Sequence, residues 1–132
     1  MMLPRKTNPQ AEFRRRATQR VNDSILLAER FPKLGSLALD LIYFDPDGLT
    51  KTGELRYKVH VKQARSVVTF ACSNLDCVAG EFDLSDVVAD ALAHHRKSVE
   101  GEIRCSGMRE RRNEITRPCR NLLRYKLTIG YV

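Results

Sequence analysis

The chain has 132 residues, 42% of them hydrophobic and 30% charged, with 23 Lys/Arg against 16 Asp/Glu for a net charge of +7. That is enough chain to bury a core of its own, and no apolar run approaches the ~18 residues of a bilayer-spanning helix, so no membrane role is expected. The charge is uneven: residues 1–33 carry eight Lys/Arg against three acids, 34–103 seven against eleven, and 104–132 eight against two. Basic ends flank an acidic middle, which favours an anionic partner contacted from one side.

The first residues, Met1 to Lys6, contain no apolar signal-peptide core, and this sets the expectation of a cytoplasmic protein whose cysteines stay reduced or bind metal. Asn8-Pro9 predicts a helix start, with Asn as N-cap and Pro at the first helical position. Phe13, Ala17, Val21, Ile25 and Ala28 recur at helical spacing, and Phe31-Pro32 ends the helix. Arg14, Arg15, Arg16 and Arg20 crowd its N-terminal half, against the helix dipole. They are therefore candidate phosphate contacts, with a solvated charged face as the plainer alternative. Residues 1–35 are expected as a basic helical segment, and 36–132 as a zinc-stapled α+β body, one compact domain overall.

From Ser36 the period changes to two. Leu37, Leu39, Leu41 and Tyr43 predict a strand, Asp45-Pro46-Asp47-Gly48 a turn, and Leu55, Tyr57, Val59 and Val61 a second strand with Arg56, Lys58, His60 and Lys62 on its other face. Val67 to Cys72 predicts a third. Asp83 then caps a helix whose face Leu84, Val87, Val88, Ala91, Leu92, His95 and Val99 runs to Gly101. On that pattern His95 is a packing residue and His60 a solvated one. Glu102 to Cys105 predicts a short strand, the segment from Cys105 to Cys119 an arginine-rich loop, and Leu123, Tyr125, Leu127, Ile129 and Tyr131 a final strand. Tyr57, Tyr125 and Tyr131 fall on core parity.

All four cysteines lie in one stretch, Cys72-x4-Cys77-x27-Cys105-x13-Cys119. Two disulfides suit an exported chain better, and no Cys-x-x-Cys redox pair is present. The plant-type iron–sulfur spacing stops after its first pair, and unligated core cysteines are the bland alternative. One structural Zn2+ per chain, held by Cys72, Cys77, Cys105 and Cys119, uses every thiol. The ligand chemistry resembles that of zinc ribbons and treble clefs, although the spacings depart from their Cys-x-x-Cys knuckles, and no function is carried over. The expected fold is thus α+β: an antiparallel sheet of about five strands, an N-terminal helix, one packed helix and a zinc cross-link made by the four cysteines.

Three classes of function remain. Basic ends favour binding of nucleic acid, DNA or RNA, or of a ribonucleoprotein, through Arg14, Arg15, Arg16, Arg20, Arg109, Arg111 and Arg112. A protein-interaction adaptor or regulatory subunit, docking through the Phe13, Ala17, Val21, Ile25 stripe, is the alternative. An enzyme is not expected: four thiolates leave no open position for activated water, and no H-E-x-x-H, G-x-S-x-G or Gly-rich phosphate loop is present.

Overall fold

The computed structural model describes residues 9–74, 76–111 and 114–132. Among them are α1 (Pro9–Asp23), α2 (Leu27–Arg30), β1 (Leu34–Phe44), β2 (Lys51–Val59), β3 (Thr69–Ala71), β4 (Cys77–Val78), β5 (Glu81–Asp83), α3 (Ser85–Ala93), β6 (Ser98–Arg104), β7 (Met108–Arg111), β8 (Glu114–Pro118) and β9 (Leu122–Tyr131). No helix among the described residues is long and apolar enough to cross a membrane. The fold is mixed α+β, and every strand pairing among the described residues is antiparallel.

The strands form three sheets where one of about five strands is expected: β2-β1-β9-β6, the pair β3-β5, and β4-β7-β8. Period-two alternation builds the largest. Leu37, Leu39 and Leu41 of β1 pair with Ile129, Leu127 and Tyr125 of β9, so one face is apolar. Against it lie Phe82, Leu84, Val88, Ala91 and Leu92 from β5 and α3, and α2 adds Leu27 to the same core. Each such leucine, removed from water, contributes on the order of 1.5–3 kcal/mol. Cys77, Cys105 and Cys119 belong to this buried cluster as well.

The other face of the sheet is a charge lattice. Across the four strands runs the row Arg56, Asp40, Lys126, Glu100, alternating in sign, and beside it Glu54, Ile42, Arg124, Glu102. Arg56 lies 3.1 Å from Asp40, Arg124 3.0 Å from Glu102, and Lys126 3.7 Å from Glu100. Exposed pairs of this kind add little stability, but they neutralise the face.

Four expectations are corrected. The first helix stops at Asp23, because the Ser24 hydroxyl donates to Val21 O at 2.6 Å and Leu26 then bridges to Arg65. Ile25 is left 51% exposed. The helix expected to reach Gly101 stops at Ala93: His95 adopts φ 52, its N–H bonds Leu92 O, and Arg96 N–H bonds Ala91 O. This is a Schellman ending with histidine where glycine is usual, and β9 claims Val99 and Gly101 for β6. His95 is accordingly exposed and lies on Tyr131 at 4.9 Å, not on a helix face. The segment between Cys105 and Cys119 holds the β7–β8 hairpin instead of a loop. Tyr57 is 46% exposed rather than buried, since β2 is an edge strand with little packed beneath it.

Candidate metal centre

The four cysteines are delivered by strand ends. Cys72 follows β3, Cys77 opens β4, Cys105 follows β6, and Cys119 lies between β8 and β9. Backbone hydrogen bonds hold these ends together: Cys72 N–H donates to Gly80 O (3.1 Å), Cys77 N–H to Asn74 O (3.1 Å), Cys105 N–H to Asn121 O (2.8 Å) and Cys119 N–H to Gly107 O (2.9 Å). Asn74 Oδ1 accepts the Asp76 N–H at 2.9 Å, closing the turn between the first two cysteines; Leu75 within it lies outside the described residues.

The four Sγ atoms fall within 4.8 Å of one another. Cys72 and Cys119 Sγ are 3.8 Å apart, and Cys77 and Cys105 Sγ 3.6 Å. A tetrahedral ion with metal–sulfur bonds of about 2.3 Å requires sulfur–sulfur edges of about 3.8 Å. The residues therefore fit a single metal ion. A polynuclear cluster inserts further atoms between the thiolates and needs them farther apart. Three cysteines are buried and Cys72 is half-buried.

Donors aim at the sulfurs. Gly107 N–H donates to Cys105 Sγ at 3.3 Å, Asn74 N–H to Cys72 Sγ, and Asn121 Nδ2 lies 3.9 Å from Cys72 Sγ. Without a cation the Cys72 and Cys77 thiols hold their protons. Burial pushes the Cys77 thiol up to about 12, and hydrogen bonding to Cys105, with burial, pushes Cys72 up as well, against the pull of the Asn74 N–H. Tyr43 is raised chiefly by its own burial. A bound divalent ion displaces those two thiol protons and compensates the thiolate charge that burial disfavours.

Two glycines make the space. A Cβ on Gly80 falls 2.1 Å from Cys77 Sγ and 2.9 Å from Cys105 Sγ; one on Gly107 falls 2.6 Å from Cys77 Sγ and 2.6 Å from Gly80 Cα. Any side chain at either position occupies the volume of a ligand. No protein-family model, curated protein or solved structure matches this chain. The geometry of the site therefore carries the reading by itself.

The histidines stay out of the cluster. His60 is exposed in the turn after β2, His94 Nδ1 lies 3.3 Å from Asp90 Oδ1, and His95 rests on Tyr131. The candidate arginines divide. Arg14, Arg15 and Arg16 are exposed on α1, the last two beside Glu12 at 3.8 and 2.8 Å. Arg20 is tied to Glu81 at 2.7 Å, a bond that raises its pKa further. Arg109 Nη2 donates to Asn121 Oδ1 at 2.9 Å, so its guanidinium supports the cysteine site. Arg111 ends β7, and Arg112 lies outside the described residues.

Gly80 and Asn121 were not foreseen from the sequence, and neither was the task of Arg109. The local signal covers only Asn74 and Gly107, each two residues after a cysteine with its backbone N–H turned back to that sulfur; Asn121 reaches Cys72 with its side chain from across the fold.

Proposed function

We propose that this is a zinc-stapled domain that binds nucleic acid, or a ribonucleoprotein, through the edge where α1 and the β7–β8 hairpin flank the metal centre. One structural zinc per chain is held by Cys72, Cys77, Cys105 and Cys119. A tetrahedral set of four sulfurs suits zinc, and a filled shell leaves the ion a cross-linking role rather than a catalytic one.

The observation that supports the interface is the mooring of α1. Ala79 N–H donates to Gln10 Oε1 at 2.8 Å, and Arg20 reaches Glu81. Both partners lie beside β4, whose Cys77 and Val78 pair with Arg109 and Met108 of β7. The exposed Arg14, Arg15 and Arg16 thus share an edge with the arginine-rich hairpin, and Arg117 at the end of β8 is exposed on it too. On the large sheet Arg56, Arg124 and Lys126 each face an acid of a neighbouring strand, whereas Arg15 and Arg16 share the single Glu12. The apolar stripe of α1 favours an adaptor less, because Phe13, Ala17 and Val21 are half-buried on the side facing Thr69, Ala71 and Gly80 of the same chain.

Titration of fluorescent DNA and RNA oligonucleotides across salt concentrations tests the reading. Four to six phosphate contacts give a slope of log K against log salt near −3 to −5. Replacing Arg14, Arg15 and Arg16 by alanine reduces that slope by about two to three units and leaves metal content unchanged. No binding at about 50 mM salt, where backbone contacts are strong, overturns the reading.

A further inference from the structure

β2 is the edge of the four-stranded sheet, and among the described residues no strand lies on its outer side. It is nine residues long, contains no proline, and is exposed on both faces from residue 54 to 58. Leu55 and Tyr57, on the core-side face, are 40% and 46% exposed. Tyr57 borders a groove of about 430 Å³ lined also by Val21, Val59, Val67 and Phe70. Natural sheets blunt such edges with charge, proline or a covering segment. Here the charges are of both signs, and their order has a consequence.

We infer that β2 pairs with β2 of a second copy of this chain, antiparallel about a twofold axis through Leu55, to make one continuous eight-stranded sheet. An axis normal to the sheet keeps each residue on its own face, so only registers centred on a residue are allowed. Centring on Glu54 sets Glu54 against Glu54, centring on Arg56 sets Arg56 against Arg56, and centring on Tyr57 sets Arg56 against Lys58. Centring on Leu55 sets Glu54 against Arg56 twice, Leu55 against itself, and Tyr57 against Gly53. Opposite charges and apolar pairs directly across an antiparallel ladder stabilise it, and like charges destabilise it.

The last of those pairings has a precedent within the chain. Across β9 and β6, Tyr125 is the register partner of Gly101 on this same face, and its ring lies where a Cβ on Gly101 would fall, 2.3 Å from the Tyr125 hydroxyl. Tyr57 over the partner copy's Gly53 repeats that arrangement at the sheet's open side. Glu54 and Arg56 currently meet Lys51 at 2.6 Å and Asp40 at 3.1 Å. Both contacts are exposed, so exchanging them for pairs across the axis costs little.

Sedimentation velocity from about 1 to 200 µM, a range that spans micromolar dissociation constants, tests this on protein freed of nucleic acid by nuclease and heparin chromatography. The mass rises with concentration from 15.1 kDa toward twice that value and no further. Glu54→Arg opposes arginines on both sides of the axis and weakens the dimer by roughly tenfold or more. Glu54→Arg with Arg56→Glu restores it. Circular dichroism and metal content establish that each variant is folded, and hydrogen exchange in the unaltered chain shows protection of β2 amides that grows with concentration. A monomer mass throughout, assembly beyond the dimer, a Glu54→Arg protein that dimerises like the parent, or a double variant that stays monomeric each overturns the inference.

Discussion

Replacing Gly80 by alanine perturbs the cysteine cluster without removing a ligand. The new Cβ falls 2.1 Å from Cys77 Sγ, 2.8 Å from Cys72 Cβ and 2.9 Å from Cys105 Sγ, where non-bonded contacts settle near about 3.5–4.0 Å. Cys77 Sγ must retreat by about 1.5 Å, several times the ~0.2 Å tolerance of a metal–ligand distance. None of the three atoms ends a long flexible side chain. Gly80 is not among the residues with positive φ, so the effect is steric and not conformational. Overpacking alone costs about 1–3 kcal/mol, and weakened metal binding adds to it. At about 4 °C per kcal/mol for a domain of this size, the Tm falls by about 10 °C or more. Metal content by elemental analysis drops well below one per chain. Ala79→Gly is the control: it changes one methyl at the neighbouring position, relieves a left-handed alanine at φ 56 worth about 1–2 kcal/mol, and keeps the metal. If Gly80→Ala retains a full metal complement and melts within about 2 °C of the parent, well under 1 kcal/mol, the tetrahedral reading of the cluster is wrong.

Asn121→Ala removes the amide between Arg109 and Cys72, and weakens metal binding by about 10–100-fold in a chelator competition. His95→Leu leaves metal content unchanged and lowers Tm by a few degrees, because leucine is strained where histidine holds φ 52. The Asp47 carboxylate accepts the Thr50 and Leu49 N–H groups, which hold its pKa below the usual carboxylate range. Stability from that loop is present above about pH 4 and lost as pH falls through the lowered folded value. Urea melts of Asp47→Ala against the parent should therefore differ at about pH 7 and converge toward about pH 2.

Period-two alternation made β1, β2 and β9 legible, and Asp47-Gly48 marked the turn between the first two: Gly48 takes φ 71 there. The grouping of the thiols was legible from count and context alone. The end of α3 was not, since Val99 continues the helical face and equally begins the alternation Val99, Gly101, Ile103. Pairing with Leu127, Tyr125 and Leu123 decides between them, and that information lies on a strand far along the chain. β3, β4 and β5 have two or three residues each, too few for any period to show. The β7–β8 hairpin carries charges where an apolar face would announce a strand. In the site, residue type picked out the four cysteines that cluster, whereas Gly80 and Asn121 matter through shape and contact across the fold.

β9 is last of the strands in chain order, yet it sits between β1 and β6. Leu41 must find Tyr125, its partner across the ladder, about 80 residues later. At a synthesis rate of about 5–20 residues per second, β1 waits on the order of 5–15 s with the ladder edge that faces β9 unpaired. Cys119, the last thiol, emerges only just ahead of β9. The nascent chain therefore spends its birth with an open ladder edge and three unpaired thiols on display. A metal ion captured early by Cys72, Cys77 and Cys105 would guard both the thiols and the half-built core until β9 arrives.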